Sequence, residues 1–393
     1  MAGRLTPPPL GLYVHLPWCV QKCPYCDFNA HALRGDLPEF EYVDALLRDA
    51  EQLTREWTPG PVQSLFIGGG TPSLFSPEAI ARLLAGLRQT LTLTPGMEIT
   101  LEANPGTVDA SRFEGFLRAG VNRLSIGAQS FSSRCLQALG RIHDGAGSID
   151  AIQAARQAGF ERINVDLMHG LPGQTVEEAI YDVDTALSLA VGHLSYYQLT
   201  LEPGTPFHYR PPVLPDDDEL SEIEAACADR IATAGLHRHE ISAWARPREE
   251  CRHNVNYWRF GDYLAVGAGA HGKLTFTDGR ILRYRLVHLP RQYLALAGTP
   301  ASVAEQHPVP QDELPLEYLM NALRLTDGAP VQEALERTGL GWAAFADGVA
   351  EARRRGWLRR DPERLAPTED GQRYLNDLLG LFMSDGGGEQ WTS

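Results

Sequence analysis

Long apolar runs are missing from this chain: no stretch of about eighteen residues stays apolar, so no membrane-spanning helix is expected. The opening MAGRLTPPPL has no apolar centre, so no secretory signal is expected either. Basic charge is also short, with 35 Lys and Arg against 50 Asp and Glu, a net charge of −15. A general nucleic-acid binder would need a basic footprint, so that class is excluded. Lysine is nearly absent, with only Lys22 and Lys273, a bias of composition that arginine makes up. The one basic string, Arg353, Arg354, Arg355, Arg359 and Arg360, reads as a solvated helix face and loop. Cysteine is scarce too: six in 393 residues, three of them in one loop. That usage is no disulfide framework, and it suits the reducing cytoplasm.

What is present is concentrated between Gly11 and Asn29. Cys19, Cys23 and Cys26 are spaced Cys-x-x-x-Cys-x-x-Cys, behind Tyr13 to Pro17, which reads as the end of a buried strand. Structural zinc wants four closed ligands, and ferredoxin-type clusters want four cysteines. Asp27 and Phe28 follow Cys26, and His31 is the nearest further zinc-type ligand. A 4Fe–4S cluster on three thiolates would leave one iron open to a small molecule, as an open catalytic metal position does. A partly visible zinc knuckle is the competing reading.

These cysteines resemble those of the radical SAM superfamily. The resemblance implies that the open iron binds the amino and carboxylate groups of S-adenosylmethionine (SAM). It extends over most of the chain. Glu39 to Trp57 reads as an amphipathic helix. SLFIGGGTP follows, a short strand and a turn of Gly68, Gly69 and Gly70, which lets a ligand approach the backbone and exposes N–H donors to it. A helix opens at Ser76 or Pro77. The next strands are MEITLEANPG with Glu102, RLSIGAQSF with Gln129, INVDLMHGLPG with Asp166, and LSYYQLTLEPGT. Arg141 sits in GRIH between the second and third of these. A charge such as Asp166 inside an apolar run is costly unless paired or used.

Strand and helix alternate about six times with short connections, the pattern of parallel strands with helices outside. The expected fold class is α/β: a partial (β/α)6 TIM-like barrel of the radical SAM type, with ligands at the C-terminal strand edges. Residues 1–300 form this unit. Residues 301–380 form a small, mainly helical, winged-helix-like domain, with helices at Glu313–Leu325, Pro330–Thr338 and Trp342–Arg355, a hairpin at Gly356–Pro367 and a last helix at Thr368–Leu379. Residues 381–393 read as a disordered tail.

The motifs are most similar to the coproporphyrinogen-oxidase-like branch of the superfamily. There, residues matching Tyr13, Tyr25, Gly69, Gly70, Thr71, Glu102, Gln129, Arg141 and Asp166 contact SAM, and Thr200 is a further candidate. The resemblance departs at two places. The oxidases carry a cysteine where this chain has Phe28, and a longer segment before the cluster, where this chain has 18 residues ahead of Cys19. Both count against coproporphyrinogen decarboxylation. His253-Asn254-Val255-Asn256-Tyr257-Trp258 matches the His-Asn-x-x-Tyr-Trp signature of the haem-chaperone subfamily. Imidazole is a standard haem ligand and aromatic rings suit a porphyrin face. Cys251 is a competing ligand, and GAGAHG after Leu264–Val266 would bring backbone close to the cofactor.

The function these residues imply is a haem carrier with a 4Fe–4S cluster on Cys19, Cys23 and Cys26, an exchangeable SAM, and haem near His253. Its partners would be haem and haem-accepting respiratory proteins. A homodimer and a peripheral membrane contact through the acceptor are compatible with this, and no nucleic acid is expected. The alternatives are an oxygen-independent coproporphyrinogen III oxidase, or another radical enzyme acting on a tetrapyrrole, and, more remotely, a DNA-binding regulator built on the C-terminal module.

Overall fold

The computed structural model describes residues 5–383; residues 384–393, most of the expected disordered tail, lie outside the described residues. Six strands run in parallel in chain order: β1 (Leu10–Leu16), β2 (Val62–Gly69), β3 (Leu93–Ala103), β4 (Arg123–Gln129), β5 (Arg162–His169) and β6 (His193–Gln198). The helices between and after them are α1 (Glu39–Trp57), α2 (Pro77–Thr90), α3 (Ala110–Ala119), α4 (Gly145–Gln157), α5 (Val176–Ser188) and α6 (Asp217–Thr233). The starts of α2 to α6 are set by side chains that accept from the first free N–H groups. Ser76 and Asp109 cap α2 and α3, and Thr175 with Glu178 and Asp216 with Glu219 form capping boxes on α5 and α6.

Alternation along each strand decides which face is which. Leu10, Leu12, Val14 and Leu16 point outward and are buried under helices, as are Leu65 and Ile67, Leu124 and Ile126, and Ile163 and Val165. The other phase points into the barrel and is polar: Glu98, Thr100 and Glu102 on β3, Arg123 and Ser125 on β4, Asn164 and Asp166 on β5, His193 and Ser195 on β6. These side chains bond across strands. Asn164 Nδ2 donates to Ser125 Oγ at 2.7 Å, to Asp166 Oδ1 at 2.7 Å and to Ser195 Oγ at 3.0 Å, and Asn164 Oδ1 lies 2.6 Å from His193 Nδ1.

The sheet is larger than six strands. Past β6 it continues through two short antiparallel strands, β7 (His237–Glu240) and β8 (Ala243–Ala245). On the other side β9 (Asp262–Val266) lies parallel to β1, a seventh parallel strand where the sequence showed only an apolar run. Antiparallel β10 (His271–Thr275), β11 (Ile281–Leu286) and β12 (Val303–Pro308) follow. The order is β12-β11-β10-β9-β1-β2-β3-β4-β5-β6-β8-β7, with β1 between β9 and β2 and the two end strands unpaired with each other.

The C-terminal part has its own core, with Tyr318, Phe345, Val349 and Leu358 buried together with Phe260 and Ile281 from the main sheet region. Its helices include Leu314–Ala322, Val331–Thr338 and Ala343–Arg354. The expected hairpin at Gly356–Pro367 is reduced to one bridge, Leu358 with Pro367; Arg364–Leu365 pairs instead with Ala329–Pro330. The last helix breaks at Tyr374 into Glu369–Arg373 and Leu375–Gly380. Among the described residues no helix is long and apolar enough to cross a membrane.

One close helix contact gives a test of sign. By helix propensity alone, Gly115→Ala in α3 should stabilise by about 0.5–1 kcal/mol. A Cβ at Gly115 would stand 2.6 Å from Cβ and Cγ of the Pro77 ring, which cannot rotate away. Overpacking of this kind costs about 1–3 kcal/mol, so Gly115→Ala should lower the denaturation midpoint. Gly147→Ala in α4, whose nearest neighbour would be at 3.4 Å, should not. Equal midpoints for the two variants would contradict the packing.

Candidate functional site

The cysteine loop hangs from the end of β1. Trp18 and Cys19 pair with His31 and Ala32, the Leu33 N–H donates to the Cys19 carbonyl at 2.8 Å, and Lys22 Nζ donates to the Phe28 carbonyl at 2.9 Å. Asn29 fastens the loop's far end: its Nδ2 donates to the carbonyls of Ala268 and His288, both at 2.8 Å. All three cysteines are free thiols; Cys19 is buried, and Cys23 and Cys26 are half-buried. Burial pushes the Cys26 thiol up to about 11 and raises Cys19 as well. Among the described residues no three His, Cys, Asp or Glu side chains gather around a single-ion position.

The glycine turn packs directly on this loop. Gly69 has φ +122, a conformation that L side chains rarely adopt, and a Cβ at Gly70 would fall 2.6 Å from the Trp18 carbonyl oxygen. The turn's N–H groups are not offered to a ligand, contrary to the sequence expectation. Gly69 N–H donates to Glu102 Oε2 at 3.0 Å, Gly70 N–H to the Leu16 carbonyl at 2.8 Å, and Thr71 N–H to the Trp18 carbonyl at 2.7 Å. The glycines serve close approach between turn and cysteine loop.

The remaining SAM candidates cluster around the strand ends. Glu102 is half-buried, and the loss of solvent around it, with the nearby Asp166 charge, pushes its carboxyl up to about 8. Burial also raises Asp166, which accepts from Ser125 Oγ at 3.0 Å and from Asn164 Nδ2 at 2.7 Å. Gln129 sits at a bulge in β4 with φ 67 and accepts from the Tyr197 hydroxyl at 2.7 Å. Arg141 puts Nη1 3.7 Å from Cys23 Sγ, donates Nη2 to the Gly127 carbonyl at 2.8 Å, and leaves its buried Nε without a partner. Tyr25 lies in the cysteine loop with its ring 6.3 Å from Phe207. Thr200 is exposed on the loop after β6.

Tyr13, Gly69, Glu102 and His253 line one cavity of about 660 Å³. The Tyr13 hydroxyl lies 2.9 Å from His15 Nδ1, and His15 Nε2 lies 2.9 Å from the Asn29 carbonyl. A carbonyl can only accept, so His15 carries its proton on Nε2 and its Nδ1 accepts a hydrogen bond from the Tyr13 hydroxyl. His253 opens the helix α7 (Arg252–Trp258). Its Nδ1 lies 3.3 Å from Ser64 Oγ and its ring 5.4 Å from Phe66. It fits only because position 11 is glycine: a Cβ there would stand 3.0 Å from the imidazole. Burial lowers His253 to about 4, so the ring is neutral at physiological pH. Gly11 pairs with Ser64, and Tyr13 with Phe66, so His253 stands two residues deeper in the barrel than the tyrosine. Cys251 is fully buried behind it, with Sγ 3.5 Å from Glu98 Oε1.

The chain's relatives bear on what these groups hold. Residues 13–186 match the Radical SAM superfamily and residues 309–374 the HemN C-terminal domain. The heme chaperone HemW of Haemophilus influenzae is 46% identical over 382 residues, covering 96% of this chain and 99% of that protein. The heme chaperone HemW of Escherichia coli is 48% identical over 378 residues, with 96% and 99% covered. This chain belongs to the HemW family of radical SAM proteins. The HemW of Bacillus subtilis, at 31% identity over 379 residues, extends the same full-length match. Among solved structures, coproporphyrinogen III oxidase (HemN) from Escherichia coli, a radical SAM enzyme, superposes with a TM-score of 0.81 over 97% of this chain and 91% of that one, at 22% identity, which shows a shared fold.

Membership in the radical SAM superfamily implies a 4Fe–4S cluster and SAM, and the donor set fits them. Three free thiols share one pinned loop, and in a cubane each thiolate binds a different iron, so they need not meet at one point. The buried, unpartnered Arg141 Nε and the half-buried Glu102, whose carboxyl is pushed up to about 8, stand beside that loop.

Several lining residues escaped the sequence reading. His15 and Asn29 lie beside recognised motifs; His15 bonds Tyr13 and Asn29, and Asn29 bonds the carbonyls of Ala268 and His288. Tyr263 comes from β9, His271 from the end of the GAGAHG stretch at the start of β10, Arg285 from β11 and His288 from just past it. Glu98 had a signal: it sits in phase with Glu102 on β3.

The raised Glu102 carboxyl has a measurable sign. The folded, ligand-free protein keeps a proton on Glu102 that the unfolded chain releases above its ordinary value of 4.5, so stability falls as pH rises from there to about 8. Glu102→Gln removes that loss. Its melting temperature should exceed the wild type's by several degrees at pH 8, with the gap shrinking at pH 5. A gap of equal size at both pH values would contradict a protonated Glu102.

Proposed function

We propose that this chain is a haem carrier in which the barrel cavity holds haem against His253 and SAM against Glu102. The observation that carries the reading is the continuity of one cavity from Gly69 and Glu102 to His253. Its lining is chemically divided. Phe28, Tyr257 and Tyr263 supply apolar ring faces, while Lys22, Arg285, His271 and His288 supply cationic or protonatable groups. A flat tetrapyrrole with two carboxylates matches that division. His253 is held neutral, with Nδ1 turned to Ser64, which leaves Nε2 for a metal in the cavity.

A 4Fe–4S cluster on Cys19, Cys23 and Cys26 would offer an open iron to the amino and carboxylate groups of SAM. The chain's own part is to place charge around it. An ammonium group beside Glu102 would draw off its proton and give the carboxylate a counter-charge. Arg141, beside Cys23, balances thiolate charge, and Gln129, held by Tyr197, and Asp166, held by Ser125 and Asn164, present fixed polar atoms for the ribose or sulfonium end. In a carrier, this half of the cavity would gate or assemble the haem half. Haem would then pass to haem-requiring acceptors, respiratory proteins among them.

The completeness of the SAM set favours a second reading, a radical enzyme acting on a tetrapyrrole side chain. Phe28, 62% exposed and lining the cavity, stands where the oxidases have a cysteine, and it cannot deliver a proton or hydrogen atom. Reduced, cluster-loaded protein given coproporphyrinogen III should form no protoporphyrinogen; turnover would replace the carrier reading.

The carrier reading predicts a spectral haem titration that saturates, and His253→Ala should weaken it. Haem dimethyl ester, which lacks both carboxylate charges, should bind about 10–100-fold more weakly, since a charge-assisted hydrogen bond is worth about 1.5–3 kcal/mol. Arg285→Ala should narrow the difference between haem and its ester. No uptake of haem by cluster-loaded wild type rejects the reading.

A further inference from the structure

We propose that the C-terminal module positions the haem-motif helix, with Arg324 as the positioning residue that holds Trp258. The inference rests on the haem reading of the cavity and adds a residue set for its control.

Helix α7 spans seven residues, too short to hold its own shape in water. Its first turn belongs to the barrel. The His253 N–H donates to Glu98 Oε1 at 3.2 Å, and Glu98 Oε2 is paired with Arg162 Nη1 at 2.6 Å. Its far end belongs to the C-terminal module. The Arg324 guanidinium lies over the Trp258 ring, 4.4 Å from the centroid. Arg259, just past the helix, donates Nε to Glu333 Oε1 at 3.1 Å. Phe260 follows with φ 56 and is buried in the module's core, its ring 5.7 Å from Tyr318.

A further tie reaches the cavity wall itself. Glu317 of the module accepts from Arg283 Nε at 3.0 Å, and Arg283 Nη1 donates to the Tyr263 hydroxyl at 2.9 Å. Tyr263 packs against Tyr257, with ring centroids 5.0 Å apart, and both line the cavity. The tryptophan of the hexapeptide is absent from that lining; its work is on the other side, under Arg324.

Arg324 is placed to do this. Its Nη2 pairs with Glu240 Oε2 at 3.2 Å, and Leu325 forms a bridge with Glu240, so the module is stitched to the free edge of β7 at the same point. A shift of the module therefore moves Trp258, Arg259 and Phe260 together, while Glu98 keeps the first turn in the barrel. The helix must tilt about its His253 end, and Tyr257 tilts with it.

The test compares wild type with Arg324→Ala, Trp258→Ala and Trp258→Phe in the full chain. The readouts are haem titration, cluster iron content, and hydrogen–deuterium exchange of residues 252–263 without haem. A cation over an aromatic face is worth about 0.5–2 kcal/mol, so Arg324→Ala should weaken haem about 2–30-fold. It should also broaden or shift the haem absorption band and speed exchange in 252–263, with iron content unchanged. Trp258→Ala should match it, and Trp258→Phe, which keeps a ring face, should recover most of the affinity. Unchanged haem affinity in Arg324→Ala overturns the proposal, whatever the exchange shows. If wild type takes up no haem, the haem reading fails instead, and exchange alone decides the positioning claim, with unchanged exchange in Arg324→Ala overturning it.

Discussion

The two-residue repeat of the parallel strands is the constraint from which the rest follows. One phase is oily and buried under α1 to α6; the other is polar and faces the lumen. Buried polar groups are costly unless they are bonded. The lumen meets that cost in layers: the Glu98–Arg162 pair low in the barrel, the Asn164 hub with Ser125, Ser195 and His193 in the middle, and a protonated Glu102 near Asp166 above. The hydrogen-bonded wall is what fixes the short cysteine loop and the seven-residue helix α7 at defined places around the cavity.

Strand β1 sits at the centre of this arrangement. It has parallel neighbours on both sides, β9 and β2, and ends in the cysteine loop. Its inward residues Gly11, Tyr13 and His15 mark three depths: the imidazole of His253 at the first, the Phe66 ring at the second, and the glycine turn with Glu102 at the third. The His253 segment and the glycine turn thus lie at opposite ends of one strand's inner face.

Much of this was legible in the sequence. Cysteine spacing marks a cluster loop because few other chemistries want three thiolates so close. The strand–helix alternation and the cap at Ser76 mark the barrel because they act locally. The polar phase, Glu98-x-Thr100-x-Glu102, Arg123-x-Ser125 and Asn164-x-Asp166, was not read as such: Glu102 and Asp166 stood out singly, Asp166 as an anomaly in an apolar run. Its partners are in phase on neighbouring strands, and phase across strands needs the register. The use of the glycine-turn N–H groups was not legible, because their acceptors, Leu16 and Trp18, lie some fifty residues back in the chain. Nor was the antiparallel flank of β10 to β12. Those strands bring Arg285 and His271 to the cavity through pairing that no local pattern specifies.

The central claim is that the cysteine loop and the His253 segment face the same cavity. Fluorescence lifetime of bound zinc protoporphyrin tests it most directly, since an iron–sulfur cluster within the same cavity is an efficient quencher and a distant one is not. The account predicts a much shorter lifetime in cluster-loaded wild type than in a Cys23→Ala protein that lacks the cluster. Equal lifetimes, with porphyrin bound in both, would contradict it.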